Sequence, residues 1–175
     1  IFILIAALVA NTAIMPVIAA PQNNTEKTTA NTGTKKEETA KTLDLKAKAA
    51  ILVDADTGMV MFEKNSHQEL PIASITKVMS MLLIMEAIDS GKITYEDMVP
   101  VSEHAYNMGG SQVYLEPGEE FSVLDMLKAV AIHSANDAVV ALAEKISGSE
   151  EVFVSEMNDK AKELGMNNTY FLDCN

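Results

Sequence analysis

The 175-residue sequence lacks several features that would otherwise suggest its chemistry. It has one cysteine, Cys174, which excludes an internal disulfide framework and a zinc site built from several cysteines. No activating residues surround Cys174 in the sequence, so we expect a buried thiol rather than a nucleophile. Neither common pattern of a glycine-rich phosphate loop is present, and the simplest sequence evidence for nucleotide binding is therefore missing.

Arginine is also absent, and all 13 cationic residues are lysines. Residues 21–48 hold six of these lysines against four acidic residues, which leaves residues 49–175 with 7 lysines and 21 acidic residues. A region with this formal charge of −14 repels phosphate backbones, so we expect no nucleic-acid partner for residues 49–175. His67 and His104 have no partner at a spacing typical of a metal site or a catalytic triad, so we predict no metal. No cofactor is expected either, because the groups that the proposed chemistry needs are protein side chains and backbone.

The composition divides the chain into three parts. Residues 1–20 are almost entirely apolar and end in small residues, which predicts a signal peptide clipped at its start; an uncleaved transmembrane anchor is the alternative. Residues 21–46 are rich in Thr, Asn, Lys and Glu without apolar periodicity, which predicts a disordered linker. Residues 47–175 should be globular, because 48% of the whole sequence is hydrophobic and most of that content lies outside the linker.

Hydrophobic patterns and turn residues predict the elements of the globular part. Two strands are expected at about 49–54 and 59–64, joined through Asp56-Thr57-Gly58. The next stretch is apolar on nearly every face, which predicts a buried helix. Ser122 and Ser149 are expected to cap two later helices, while Gly148 and Gly165 should end two of them. The predicted helices span residues 75–89, 122–133, 137–146 and 150–164.

A serine and a lysine three residues apart stand where the apolar helix is predicted to begin. Residues at this spacing share one face of a helix, so Lys77 can reach Ser74. A serine hydroxyl becomes nucleophilic when a nearby base takes its proton, and an apolar helix flank lowers the pKa of a lysine toward that role. The pattern is weak by itself, because an N-capping serine followed by a solvated lysine looks the same.

A second short motif, Ser134-Ala135-Asn136, lies 60 residues later in a predicted break between two helices. A serine hydroxyl there can pass a proton, and an asparagine amide offers both a donor and an acceptor. The alternative is a simple helix cap. His133 precedes Ser134 directly, and because neighbours on a helix point about 100° apart, a direct Ser-His pair is not expected.

The two motifs, in this order and in these contexts, resemble the first two signature elements of penicillin-binding proteins and serine β-lactamases. Over residues 47–175 the chain closely resembles the low-molecular-mass D-alanyl-D-alanine carboxypeptidases. The resemblance is carried by the stretches AAILVDADTGMVMFEKN, LPIASITKVMSMLL, GGSQVYLEPGEEFSVLDMLKAVAIHSANDAVVALAE and MNDKAKELGMNNTYF. It implies a mixed α/β fold of the β-lactamase and transpeptidase type, with an antiparallel sheet packed on the Ser74 helix and a helical lobe carrying Ser134.

The resemblance also implies roles for four residues. Ser74 would be acylated by the penultimate D-Ala of a peptidoglycan stem peptide ending in D-Ala-D-Ala, and Lys77 would be its general base. Ser134 would relay a proton to the leaving D-alanine, and Asn136 would position Lys77 and the substrate. β-Lactams would be inhibitors. The protein would be exported to the cell wall or the outer face of the cytoplasmic membrane, with any membrane association through segments outside this sequence.

One family element is missing from the sequence. No Lys-Thr-Gly triplet occurs in the 175 residues, although the family uses such a strand to bind the substrate carboxylate. We therefore expect residues 47–175 to be the N-terminal part of a catalytic domain that is inactive alone. The functional alternatives are a serine β-lactamase, a D,D-endopeptidase or a non-catalytic penicillin-binding sensor. Glu163 and Asn167 have the spacing that class A β-lactamases use for a deacylating water, but a position in the last helical turn explains Glu163 better.

Overall fold

The computed structural model describes residues 44–175, which fall into two compact units that divide between Gln68 and Glu69. The predicted leader, residues 1–20, lies outside the described residues, as does most of the predicted linker. Within the described part, no helix has both the length and the apolar character needed to cross a bilayer.

The described part of the first unit is an antiparallel hairpin. Strand β1 (Ala50–Val53) pairs with β2 (Val60–Lys64), close to the bounds predicted from the sequence. The turn forms because the Asp54 carboxylate accepts hydrogen bonds from the backbone N–H and the hydroxyl of Thr57, at 2.9 and 2.6 Å. Gly58 then takes a positive φ of 71° and returns the chain into β2.

The second unit is mostly helical. A 3₁₀ turn (Ala73–Ile75) leads directly into the first α-helix, and a small antiparallel sheet of two strands precedes the long run of later helices. The elements are α1 (Thr76–Asp89), β3 (Met98–Pro100), α2 (Glu103–Tyr106), β4 (Glu120–Ser122), α3 (Val123–His133), α4 (Asn136–Ser147) and α5 (Glu150–Glu163).

Helix α4 is the centre of this unit. Six consecutive residues, 138–143, are buried, and α4 packs against α1, α2, α3, α5 and β3. Their sequence, AVVALA, is short-chained except for Leu142, and small side chains let several helices approach one axis closely. Asn136, the first residue of α4, is therefore held by a helix that packs against most of the unit.

Helix α1 corrects one expectation from the sequence. It was expected to be buried on nearly every face, but Ile75 before it and Val78, Leu82 and Met85 on it are exposed and share one side. Its opposite side is buried and includes three polar residues, Thr76, Lys77 and Ser80. The apolar composition therefore did not predict which side of α1 is buried, because three polar residues lie on the buried side and apolar residues lie on the exposed one.

The remaining helix predictions are confirmed within one or two residues. The Ser122 and Ser149 hydroxyls accept hydrogen bonds from the N–H groups of Asp125 and Val152, at 3.1 and 3.3 Å, and so cap α3 and α5. The mixed fold with antiparallel strands and a helical lobe is confirmed. The packing of the hairpin on the Ser74 helix stays a prediction, because these two elements belong to different units.

Candidate functional site

Ser74 lies in the 3₁₀ turn that leads into α1 and is exposed to solvent. The residue before it, Ala73, has a positive φ of 47°, a conformation that costs a non-glycine residue about 1–2 kcal/mol. Such strain persists only where the surrounding structure imposes it, and it occurs often at functional sites. The strained turn presents the Ser74 hydroxyl at the N-terminal end of a 14-residue helix, where the helix dipole favours developing negative charge.

Lys77 is the second residue of α1 and is only 2% exposed. Burial lowers the pKa of Lys77 from the usual lysine value of 10.5, while the negative charge of Asp173 acts in the opposite direction. A lowered pKa increases the fraction of neutral amine, which is the form that can accept a proton. The structure thus gives Lys77 the electrostatic property that the sequence pattern predicted for it.

The Lys77 ammonium donates a 2.6 Å hydrogen bond to Oδ1 of Asn136. These residues are 59 positions apart, and the contact brings the two sequence motifs into one site. Among the described residues, Lys77 makes no direct hydrogen bond with Ser74 or Ser134. The contact holds the amine from the α4 side.

Asn136 is itself held by a loop that we call the strap, residues 109–115, between α2 and β4. Its side-chain Nδ2 donates to the Gly109 carbonyl at 2.7 Å, and its backbone N–H donates to the Ser111 carbonyl at 2.7 Å. Gly110 lies so close that a Cβ at this position would be 2.8 Å from Nδ2 of Asn136. The Asn136 side-chain amide is therefore oriented by Lys77 at its oxygen and by the Gly109 carbonyl at its nitrogen, while the Ser111 carbonyl holds the backbone of the same residue.

Ser134 ends α3 in the left-handed region, with φ of 55° and ψ of 38°. Glycine or asparagine usually occupies such a cap, so a serine here carries a conformational cost. Its hydroxyl oxygen is buried and has no hydrogen-bond partner in the described part of the chain. Burial of an unpaired hydroxyl also costs free energy, and both costs are typical of a residue retained for chemistry rather than stability.

The end of the chain packs beside Lys77. Ser80, one turn further along α1, donates a 2.6 Å hydrogen bond to the Cys174 carbonyl, and both residues are fully buried. Burial raises the pKa of the Cys174 thiol well above its ordinary value. Cys174 is therefore protonated near neutral pH and inert, as the sequence predicted.

Two other candidates from the sequence make contacts that point away from catalysis. Glu163 is in the last turn of α5, exposed, and its carboxylate pairs with the Lys160 ammonium at 2.8 Å. This contact supports the helix-end explanation for Glu163. His133 is exposed, and its carbonyl accepts a hydrogen bond from the Ser111 hydroxyl at 2.6 Å; it makes no described hydrogen bond to Ser134.

Sequence reasoning missed the strap and the residue that anchors it, Asp137. The Asp137 side chain is 1% exposed and accepts hydrogen bonds from the backbone N–H groups of Val113 and Leu115. Two signals were available, namely the adjacent glycines 109 and 110 and an acidic residue directly after Asn136. Neither signal alone indicates which part of the chain a buried carboxylate would hold.

Comparison with known proteins places this arrangement in a family. The profile of the family described as D-alanyl-D-alanine carboxypeptidase matches residues 34–175. The chain is 62% identical over 125 residues to D-alanyl-D-alanine carboxypeptidase DacF of Bacillus subtilis, covering 71% of this chain and 32% of the relative. The chain thus spans about a third of the length of this relative.

Solved structures agree with this assignment. D-alanyl-D-alanine carboxypeptidase DacD from Francisella tularensis superposes with a TM-score of 0.74 at 37% identity, over 76% of this chain and 32% of that one. Penicillin binding protein 5 from Haemophilus influenzae gives a TM-score of 0.71 at 35% identity, over 73% and 38%. The chain therefore belongs to the D-alanyl-D-alanine carboxypeptidase family.

Proposed function

We propose that the chain provides the nucleophile and the general base of a serine-type D-alanyl-D-alanine carboxypeptidase. The observation that carries the proposal is the 2.6 Å hydrogen bond from the buried Lys77 to Asn136, since it joins both motifs next to the exposed Ser74. Family membership and the names of the relatives support this reaction and support β-lactams as inhibitors.

In the proposed acylation, neutral Lys77 takes the proton from the Ser74 hydroxyl. The Ser74 oxygen attacks the carbonyl carbon of the penultimate D-alanine, and the resulting oxyanion is stabilised by backbone N–H groups at the start of α1. The carbonyl re-forms as the C–N bond to the terminal D-alanine breaks. The proton held by Lys77 passes through Ser134 to the leaving amine, which returns Lys77 to its neutral form. Water hydrolyses the acyl ester on Ser74 in the second half of the reaction and releases the shortened stem peptide.

The surroundings of each residue support its proposed role. Burial disfavours the charged form of Lys77, so less free energy is needed to generate the base. The unpaired, buried Ser134 hydroxyl can accept and donate a proton without first breaking a protein hydrogen bond. Asn136 keeps the Lys77 amine in one position. Helices α1 and α4 and the strap hold these two residues in place.

The reaction also needs a cation for the substrate carboxylate and a second oxyanion donor. The family resemblance predicts a Lys-Thr-Gly strand for both tasks, and the 175 residues contain no such triplet. Inactivity of residues 47–175 alone stays a prediction. Export to the cell wall or the outer face of the cytoplasmic membrane, with any membrane association through other segments, is part of the same proposal.

A turnover assay on the product of the complete reading frame tests the function. The substrate is a stem peptide ending in D-Ala-D-Ala, and benzylpenicillin is the comparison compound. We expect rapid release of one D-alanine per peptide and slow hydrolysis of the penicillin. Rapid penicillin hydrolysis would indicate a β-lactamase, cleavage within cross-linked stems without D-alanine release would indicate an endopeptidase, and no turnover of either would indicate a sensor.

A further inference from the structure

The strap is attached to the junction of α3 and α4 along its whole length. At one end, the Gly109 carbonyl accepts from the Asn136 side chain, and in the middle the Ser111 hydroxyl donates to the His133 carbonyl at 2.6 Å. At the other end, the Asp137 carboxylate accepts from the Val113 N–H at 3.1 and 3.2 Å and from the Leu115 N–H at 3.2 Å.

Asp137 is an unusual anchor because it is almost completely buried. A buried carboxylate is costly unless its oxygens are hydrogen-bonded, and here backbone N–H groups provide that compensation. One donor, Ala138, belongs to α4 and is expected for an acidic residue in a first helical turn. The other two donors belong to the strap, and they have no role in starting the helix.

The two strap donors flank a strained residue. Tyr114, between Val113 and Leu115, has a positive φ of 59°, although it is not glycine. This conformation turns both neighbouring N–H groups toward the Asp137 carboxylate, and its cost must be offset by the surrounding structure. The Tyr114 side chain is 81% exposed, so its own packing does not offset that cost. The hydrogen bonds to Asp137, together with the buried side chain of Leu115, hold this part of the strap in shape.

We propose that Asp137 is a positioning residue for acylation, because the strap it holds fixes the Asn136 amide that orients Lys77. The inference rests on the proposed function. Without the carboxylate, Tyr114 relaxes toward negative φ and the strap moves away from α4. The Gly109 and Ser111 carbonyls then no longer restrain Asn136, and its Oδ1 no longer keeps the Lys77 amine at one position.

The test uses the complete gene product and the variant Asp137→Asn. The asparagine has the same size but brings an NH₂ group toward two backbone donors, so the strap loses acceptors without losing volume. Asp125→Asn is the matched control, since Asp125 is an exposed first-turn residue of α3 that contacts Ser122 and Lys128. The readout is the second-order rate constant for acylation by a fluorescent penicillin, at a temperature where circular dichroism shows every variant folded.

We expect Asp137→Asn to acylate about 10- to 100-fold more slowly than the parent, since misplacement by about 1 Å typically costs about 100-fold. Asp125→Asn should stay within about twofold. A double-mutant cycle separates positioning from general destabilisation: in an Asn136→Ala background, Asp137→Asn should cause no further loss of rate. Independent, multiplicative losses in the double variant would overturn the proposal, as would a parental rate in Asp137→Asn.

A second measurement reports on the strap itself. Hydrogen–deuterium exchange of the peptide covering residues 109–115 should be faster in Asp137→Asn than in Asp125→Asn, and equal exchange would overturn the proposal. Should Asp137→Asn fail to fold, Ser111→Ala loosens the same strap at its middle and must lower acylation instead. Absence of any acylation in the parent would refute the proposed function. The exchange comparison does not depend on acylation, so it tests the role of Asp137 in the strap separately.

Discussion

The orientation of the Asn136 side chain can be perturbed without touching Asn136. Gly110 has a positive φ of 81°, and a Cβ at this position would lie 2.8 Å from Nδ2 of Asn136. Real Cβ contacts are essentially never this short, so in Gly110→Ala either the strap or the Asn136 amide must move. Gly118→Ala is a matched control, since Gly118 has a φ of 87° and no atom within 4 Å of the added Cβ.

Both substitutions carry the conformational cost of an alanine at positive φ, but only Gly110→Ala also creates a contact with Asn136. An alanine in the left-handed region costs about 1–2 kcal/mol, which applies equally to positions 110 and 118. In a domain of 150–250 residues this corresponds to a fall in Tm of roughly 2–4 °C per kcal/mol. Only Gly110→Ala also forces the strap or the Asn136 amide that holds Lys77 to move. A shift of about 1 Å in a reactive group typically costs about 100-fold in rate, so we expect acylation about 10- to 100-fold slower in Gly110→Ala than in Gly118→Ala.

The assay is acylation of both variants of the complete gene product by a fluorescent penicillin, with Tm measured in parallel by scanning calorimetry. The expected pattern is a similar fall in Tm for both variants and a loss of acylation rate in Gly110→Ala alone. Equal acylation rates in the two variants would refute the reasoning that the Asn136 amide controls Lys77. A much lower Tm in Gly110→Ala would show that the contact is resolved by unfolding the strap instead.

Three further outcomes follow from the structure. Lys77→Arg should reduce acylation by orders of magnitude in stopped-flow measurements, because a guanidinium keeps the charge but cannot accept a proton near neutral pH. In the parent, the acylation rate should rise with pH and level off below pH 10.5, because burial lowers the pKa of Lys77. The hydrogen bond to Glu150 raises the pKa of His104. The small contribution of this pair to stability should therefore be present below pH 6.5 and lost as the pH rises through the raised pKa. NMR titration of His104 should show the raised pKa, and Glu150→Gln should abolish the shift. Ser80→Ala should lower the free energy of unfolding by about 1–3 kcal/mol in urea, because it leaves the buried Cys174 carbonyl without its donor, and an unchanged midpoint would argue against that contact.

Local signals predicted most of the fold. Capping serines and helix-ending glycines act within one turn of the backbone, so the bounds of α3, α4 and α5 could be predicted from the sequence alone. Strand β3 and its partner β4 were not predicted, because each is three residues long and their pairing joins segments about 20 residues apart. The exposed side of α1 was also missed, since an even apolar composition does not show which face meets the core.

The candidate site likewise combines local features that the sequence predicted with long-range contacts that it did not. The spacing of Ser74 and Lys77 on one helical face is a local property and was readable from the sequence. The meeting of Lys77 with Asn136 spans 59 residues, and only the family resemblance suggested it. The strap could not be predicted, because the partners of Asp137 are backbone N–H groups, which every residue except proline carries.

The most direct test of the account is the site of covalent labelling in the complete gene product. Incubation with a penicillin, followed by intact-mass analysis and peptide mapping, should give one stable adduct per molecule on the peptide that contains Ser74. Ser74→Ala should give no adduct while remaining folded, because the exposed hydroxyl in the turn before α1 is the proposed nucleophile. An adduct that forms at an undiminished rate in Ser74→Ala, or that maps to another residue, would contradict the central claim.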